Sequence, residues 1–373
     1  MQYIKGWCNM RHVGLALSLK VITLLALAAL LLLPAACGKK EVLPDKYSFY
    51  EGTVDAGKPI AWGDDRDIYV FCDEPIWKLA EDMLRRSLER DTYIVVNERY
   101  FNLVRANIGE IDQLIKYKNL LFLGDLKSRG AVSEHLRNSM QERMKERVRN
   151  SGGELFVAKN RWVNDQLVIY MVGNTAENLL KLNILQTNRL YTEFLNRYAE
   201  RLAYQAYRTK LIPDEFFEAY PFTIKVPNNF QLFHNDKTNR FLSFLYRMRS
   251  ESRDFPDRYV SVYYEDMPVD TLRLDWLLSR RKDLAFKYYD QDEFDPKLLR
   301  SESLNLGEYK ALRILGPWQN RKHDIGGGFQ AFAFYDNVQK RAYLIDNSVY
   351  YPAGDKLPEL LLLQKISATF KTK

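Results

Sequence analysis

The chain is poor in the residues that carry most enzyme chemistry. Its 373 residues include three cysteines and four histidines. Cys8 and Cys37 precede residue 38 and Cys72 stands alone after it, so residues 38–373 can form no internal disulfide. Stability there must come from burial. Cys72 lies in Ile68-Tyr69-Val70-Phe71-Cys72, a strand apolar on both faces, and reads as a buried thiol rather than a nucleophile. His135, His234 and His323 are far apart, at no zinc-ligand spacing such as His-x₃-His. No Gly-x-Ser-x-Gly elbow occurs, which disfavours a serine hydrolase of the common type. No internal repeat of fixed period is visible. The apolar run Val21 to Leu33 has thirteen residues, short of the roughly 20 needed to span a bilayer as a helix.

That short run belongs to a recognisable leader. The first 36 residues carry Lys5, Arg11 and Lys20 and no acid, then the Leu- and Ala-rich run, then Pro34, Ala35 and Ala36 before Cys37. A basic segment, a short apolar core and small residues before a cut define a secretory signal. Small residues immediately before cysteine resemble the bacterial lipobox, with Pro34 where that family usually has Leu. The resemblance implies cleavage before Cys37 and a diacylglyceryl group on its sulfur. Acyl chains of this kind anchor by about 0.8 kcal/mol per buried methylene. Translation starts at Met1 or Met10. Gly38-Lys39-Lys40 lacks the acidic residues of some surface-export signals, so the expectation is an outer-membrane, periplasm-facing anchor.

Charge excludes one class of partner. The whole chain carries +7, and removing the three basic residues of the leader leaves 52 basic against 48 acidic. A nucleic-acid binder would concentrate basic charge on one face, and none is expected here. On the segment 131–149, basic Arg137, Arg143, Lys145, Arg147 and Arg149 alternate with Glu134, Glu142 and Glu146. This reads as a solvated face with intrahelical pairs.

Periodicity then sets the architecture. Residues 37–62 read as the lipidated cysteine and a tether, whose later aromatics, Tyr47, Phe49, Tyr50 and Trp62, are expected to pack on the body. Strand 67–72 leads to Asp73-Glu74-Pro75, where Asp73 can cap a helix and Pro75 suits its first turn. Ile76, Leu79, Ala80, Met83, Leu84 and Leu88 give that helix one apolar face. Strands over 92–96 and 119–123, a helix over 131–149, a hairpin over 154–172 and a helix over 176–208 complete an N-terminal α/β domain, 63–212. The second domain, 213–373, shows strands at 222–226, 241–249, 258–264, 309–315, 329–335 and 341–350. Helices are expected near 270–286 and 358–370. The fold class is α+β: two α/β sandwich-type halves with mixed or antiparallel sheets packed by helices, after a cleaved signal peptide.

Pro221-Phe222-Thr223-Ile224-Lys225-Val226-Pro227, the mid-domain helix and Tyr343-Leu344-Ile345-Asp346 make the second half similar to the Mog1/PsbP-like sandwich. That resemblance implies a binding or assembly module. Asp73-Glu74-Pro75-Ile76-Trp77, Trp318 with Gly326-Gly327-Gly328-Phe329, and Val349-Tyr350-Tyr351-Pro352 resemble a family of envelope lipoproteins described only as a domain of unknown function. It implies no activity.

No catalytic set, metal site or cofactor is expected. Gly326-Gly327-Gly328 lacks the helix that a phosphate loop needs after it and reads as a flexible turn admitting close backbone approach. Trp318 beside Gly326, Gly327, Gly328 and Phe329 is the candidate ligand or partner site. Asp290-Gln291-Asp292-Glu293-Phe294-Asp295 starts like a calcium loop but lacks its sixth-position Gly and twelfth-position Glu, so it reads as a solvated acidic loop. The pairs Tyr263-Tyr264, Tyr288-Tyr289 and Tyr350-Tyr351 could form a sugar- or peptide-binding platform, one ring of each pair buried and the other exposed. The reading is a non-enzymatic, lipid-anchored module, held to the membrane by Cys37, that binds an envelope protein or glycan. The alternatives are an envelope glycan- or cell-wall-acting hydrolase, which requires a carboxylate pair with shifted pKa values in a cleft, and a carrier of an apolar ligand.

Overall fold

A computed structural model of the protein describes residues 57–373. The leader, Cys37 and tether residues 38–56 lie outside the described residues.

The chain enters along the N-terminal edge of a first sheet. Ala61 N donates to Asn164 O at 3.0 Å and Trp62 N to Lys116 O at 2.8 Å, yet the Trp62 side chain stays 67% exposed. The backbone of this segment packs on the body as expected; the indole does not. Strand β1 (Asp67–Cys72) follows, then helix α1 (Glu74–Leu88), hairpin β2 (Asp91–Tyr93) and β3 (Asn97–Arg99), and β4 (Asn102–Ala106). After α2 (Ile111–Leu114) come β5 (Asn119–Asp125), helices α3 (Ala131–Ser139) and α4 (Glu142–Ser151), β6 (Gly153–Lys159), β7 (Leu167–Gly173) and the long α5 (Ala176–Ala206). Five of these strands form a mixed sheet in the order β4-β1-β5-β7-β6, with β6 the antiparallel member.

Its central strands β5 and β7 are buried on both sides because helices cover both faces. Ile76, Ala80 and Leu84 of α1 join Leu190 and Phe194 of α5 on one face. Val132 and Leu136 of α3 with Val148 of α4 cover the other. The single helix expected over 131–149 is two. Met140 is extended (φ −88°, ψ 138°) and buried in that second core, and the break lets both segments keep their apolar line on the sheet. The strand expected over 92–96 is the β2–β3 hairpin, whose Ile94 is fully buried.

The second sheet begins after β8 (Phe222–Thr223). Its strands are β9 (Gln231–Asp236), β10 (Phe241–Tyr246), β11 (Asp257–Asp266), β12 (Arg300–Leu306), β13 (Tyr309–Asn320), β14 (Ile325–Asp336) and β15 (Arg341–Tyr350). They form an antiparallel sheet in the order β12-β13-β14-β15-β11-β10-β9. Helix α6 (Leu274–Tyr288) lies between β11 and β12 in the chain, and α7 (Leu357–Ser367) with β16 (Lys371–Thr372) closes it. Leu277, Leu284 and Ala285 of α6 pack with Phe241, Ile314, Trp318, Phe329 and Leu344 on one face. On the other, Tyr343 and Phe334 meet Phe370 after α7. With both faces covered, Tyr263 and Tyr264 are both half-buried, as are Tyr350 and Tyr351, and Tyr289 is buried beside a half-buried Tyr288, so no pair shows the expected split into a buried and an exposed ring.

The two sheets are joined by buried contacts. Glu98 Oε2 accepts from Lys356 N at 2.7 Å and Leu357 N at 2.8 Å, supplying the N-terminus of α7 with a carboxylate from the β2–β3 hairpin. Leu361 of α7 lies in the core of the first half.

Candidate functional site

Two depressions compete for attention. The first, about 500 Å³, sits past the carboxyl ends of β1 and β4, lined by Cys72, Asp73, Glu74, Arg105, Asn107 and Val132 among others. The chain passes from β1 out to β4 and then back to β5 on the other side, so strand order reverses here, the usual place for a ligand in an open α/β sheet. Asp73, however, already fills the anion position. It makes no cap on α1, where it was expected to act. Its carboxylate instead accepts from Val132 N (2.8 Å), Ser133 N (3.0 Å) and Ser133 Oγ (2.6 Å) at the start of α3. Arg105 is paired with Glu74, and burial pushes the Cys72 thiol up to about 12, which keeps it an inert thiol.

The second depression, about 350 Å³, opens on the second sheet beyond the C-terminal end of α6. Strand alternation builds its floor. Ser348 and Tyr350 of β15 share a face, Tyr259 of β11 pairs in register with Ser348, and Trp318 of β13 pairs with Gly327. Residues 288–292 form one wall, with Asp290 and Gln291 both left-handed (φ 49° and 68°), a costly conformation for side-chain-bearing residues. The turn is held because Asn320 Nδ2 donates to Asp290 O at 2.9 Å and to Asp292 Oδ1 at 2.8 Å. Across the opening, Asp257, 3% exposed, takes Arg247 Nη2 at 2.7 Å and Arg249 Nη1 at 3.3 Å.

The electrostatics of this cleft are set by burial. Desolvation pushes Asp292 up to about 6, against the pull of Asn320 and Arg281. Asp290 moves the other way, held down by His323, with which it pairs, and by Lys322 at 3.0 Å. Beneath lies an ion pair with no solvent contact: Arg281 Nε to Asp346 Oδ1 at 3.3 Å. The Arg281 guanidinium sits 4.1 Å over the Phe329 ring. Among the described residues, its two terminal nitrogens and Asp346 Oδ2 have no hydrogen-bond partner. Burial raises Asp346, and the pairing with Arg281 opposes that rise.

The sequence-expected site falls partly into this cleft. Trp318 lines it and donates Nε1 to Gly328 O at 3.2 Å. Phe329 is buried beneath as the platform for Arg281. Gly326, Gly327 and Gly328 are not a turn: they lie inside β14, paired with Gln319, Trp318 and Pro317. Close approach is nevertheless their reason. A Cβ on Gly327 would stand 2.0 Å from Val349 O and 2.8 Å from the Trp318 ring, and one on Gly328 would stand 2.5 Å from Ile94 of the first half. They admit protein, not ligand. The acidic loop is likewise more than solvated, since Asp292 is half-buried and forms cleft wall. Tyr259, Asn320 and Ser348 carry no signal of their own in the sequence, and Asp292 stands out there only within the Asp290–Asp295 run. Among the described residues no group of three or more His, Cys, Asp or Glu could hold a metal ion, and no helix is long and apolar enough to cross a membrane.

Residues 210–372 match the family model described as a domain of unknown function (DUF4837). No curated protein matches. Among solved structures, the chain is similar to the Saccharomyces cerevisiae Ran-binding protein Mog1p, at 12% identity over 44% of this chain and 94% of that one, with a TM-score of 0.30. It is also similar to LpqN of Mycobacterium tuberculosis, described as involved in cell envelope biogenesis, at 12% identity over 42% and 88% with a TM-score of 0.26. Cyanobacterial PsbP from Synechocystis gives 13% identity over 41% and 87%, again with a TM-score of 0.26. The unknown-function family and the Mog1/PsbP-like proteins named from sequence both return here, and no residue role carries across.

Proposed function

We propose that this protein is a lipid-anchored envelope module that captures an envelope component in the cleft of its second sheet. In this reading residues 1–36 are removed and Cys37 is acylated on a periplasm-facing membrane. Residues 37–62 tether two halves, 63–212 and 213–373. The observation that carries the binding role is the cleft itself, where Tyr259, Trp318 and Tyr350 line one opening with fixed hydrogen-bonding groups, the composition of a binding pocket.

The address is tested by intact mass and membrane fractionation of wild type and Cys37→Ala in a lipoprotein-processing bacterium. Wild type should lose residues 1–36 and gain acyl mass, and the variant should do neither. A wild type that keeps its leader sinks the anchor. Binding is tested by retention of a detergent-solubilised envelope fraction on the immobilised protein. Tyr350→Ala and Arg249→Gln should each lose it, and retention that survives both moves the binding surface elsewhere.

A second reading, a glycan-acting hydrolase, has one specific observation in its favour. Asp292 is pushed up to about 6 while Asp290 is held low in the same cleft, the divergence expected of an acid and an ionised partner. Release of new reducing ends from cell-wall glycan, abolished by Asp292→Asn, would select it over pure binding.

A further inference from the structure

We infer that the ligand of this cleft is a linear, uncharged oligosaccharide that crosses Tyr288 into a neighbouring depression. The inference rests on the cleft being the binding site and adds the class of ligand.

A depression of about 400 Å³, lined by Asn239, Arg240, Tyr263, Arg280 and Asp283 among others, lies on the other side of Tyr288. Tyr288 borders both. Its ring is stacked on Phe241 at 4.0 Å and 14°, and its hydroxyl donates to Asp236 Oδ2 at 2.9 Å. A ring pinned at its face and its tip is a ridge between two subsites. A compact ligand would need only one depression, whereas a chain is the shape that uses both.

Charge balance gives the chemistry. Over both depressions, five Lys and Arg side chains line the surface with five Asp and Glu. Many are already fixed in pairs: Arg280 Nε meets Glu265 Oε2 at 3.1 Å, and Arg247 and Arg249 share Asp257. Such a surface offers no net field to a polyanion or polycation. It does present pre-oriented donors and acceptors side by side, which suits hydroxyls that both give and take hydrogen bonds. The half-buried rings of Tyr259, Tyr288 and Tyr350 supply flat apolar faces for the C–H faces of sugar rings, above the buried Trp318. A peptide bound by strand addition would need an open sheet edge. The strands that form the floor of the Trp318 cleft, β11, β13 and β15, are interior, and the edge strand β9 reaches it only through Phe233 at the rim, so an added strand would lie beside the cleft rather than across its floor.

The test is calorimetric titration of the full-length protein with chitohexaose, cellohexaose and their disaccharides, with polygalacturonate as the acidic control. At least one neutral hexasaccharide should bind about tenfold more tightly than its disaccharide, the gain of one added ring contact. Tyr288→Ala should bring the ratio of hexasaccharide to disaccharide affinity down to about one. Tyr288→Phe, which keeps the ridge and loses only the bond to Asp236, should retain it, and unfolding midpoints of both variants check that the fold persists. Equal binding of hexasaccharide and disaccharide, a Tyr288→Ala effect on both alike, preference for polygalacturonate, or no saccharide binding at all would each overturn the inference. If the envelope fraction is still captured through the cleft while every saccharide fails, or if the captured component is a protein, the binding role stands and the oligosaccharide falls.

Discussion

The two halves each end in a depression beside a sheet, and they satisfy their polar groups differently. In the first, the most favourable anion position is filled by the chain's own Asp73, which bonds both backbone and hydroxyl of α3. In the second, α6 stops at Tyr288 while the sheet runs on, and half-buried Tyr259 and Tyr350 stand at the opening above buried Trp318 and Ser348. The larger depression is self-occupied; the smaller one is open and underlain by a buried charge pair. Size ranks the first depression above the second, and the state of their hydrogen bonds ranks them the other way round.

The comparison breaks most forcefully beneath the second cleft. Asp346→Ala strands the Arg281 guanidinium without its partner and should cost about 3–5 kcal/mol in urea unfolding, while Arg281→Met combined with Asp346→Leu should recover most of it. A double variant as unstable as the single would show that the pair is more than a mutual charge neutralisation. Next, Gly327→Ala pushes a methyl against Val349 O, a backbone atom that cannot swing aside, and should cost about 3 kcal/mol. Asp73→Ala should cost about 2–3 kcal/mol by freeing three donors, and should turn the first crevice into an anion site detectable by inorganic phosphate raising its unfolding midpoint. Absence of any phosphate effect would mean the crevice is closed by shape as well as by charge.

A subtler contrast lies in pH. Asp292 titrates near 6 when folded and near 3.8 when unfolded, so its protonation favours the fold fully below about pH 4 and that contribution is lost as pH rises through 6. With partial exposure discounted, wild type should lose about 1–2 kcal/mol more than Asp292→Asn between pH 4 and pH 7. Parallel pH profiles for the two proteins would place Asp292 in solvent. Smallest of all, Tyr350→Ala should change stability by about 1 kcal/mol or less while abolishing envelope retention.

Much of the fold was legible because its signals are local. The helix after Pro75 shows its apolar stripe in consecutive turns, and Phe241–Tyr246 and Arg341–Tyr350 are short runs buried on both faces. Asp73 was legible as a helix cap but not as a cap for a helix 59 residues away, since both uses demand the same residue type before the same kind of turn. The glycine triplet suggests a turn because glycine is permissive; its pairing inside β14 depends on Trp318 and Val349 arriving from neighbouring strands. The missed β12 has a polar face toward solvent at a sheet edge and carries little apolar pattern of its own.

By itself, then, the sequence determined the α+β class, the inert burial of Cys72, the absence of disulfides after residue 37 and the expectation of a lipidated Cys37. These follow from composition and short-range periodicity, which need no knowledge of what lies opposite. Only the tertiary structure decided that Tyr259, Asp292, Trp318 and Ser348 share one cleft, and that Asp73 closes another. Their separation along the chain reaches about 90 residues, and the strand order that gathers them is set by non-local pairing and by which helix ends where. Convergence of that kind leaves no period in the sequence, because the free energy that selects it comes from burying whole faces rather than from any run of residues.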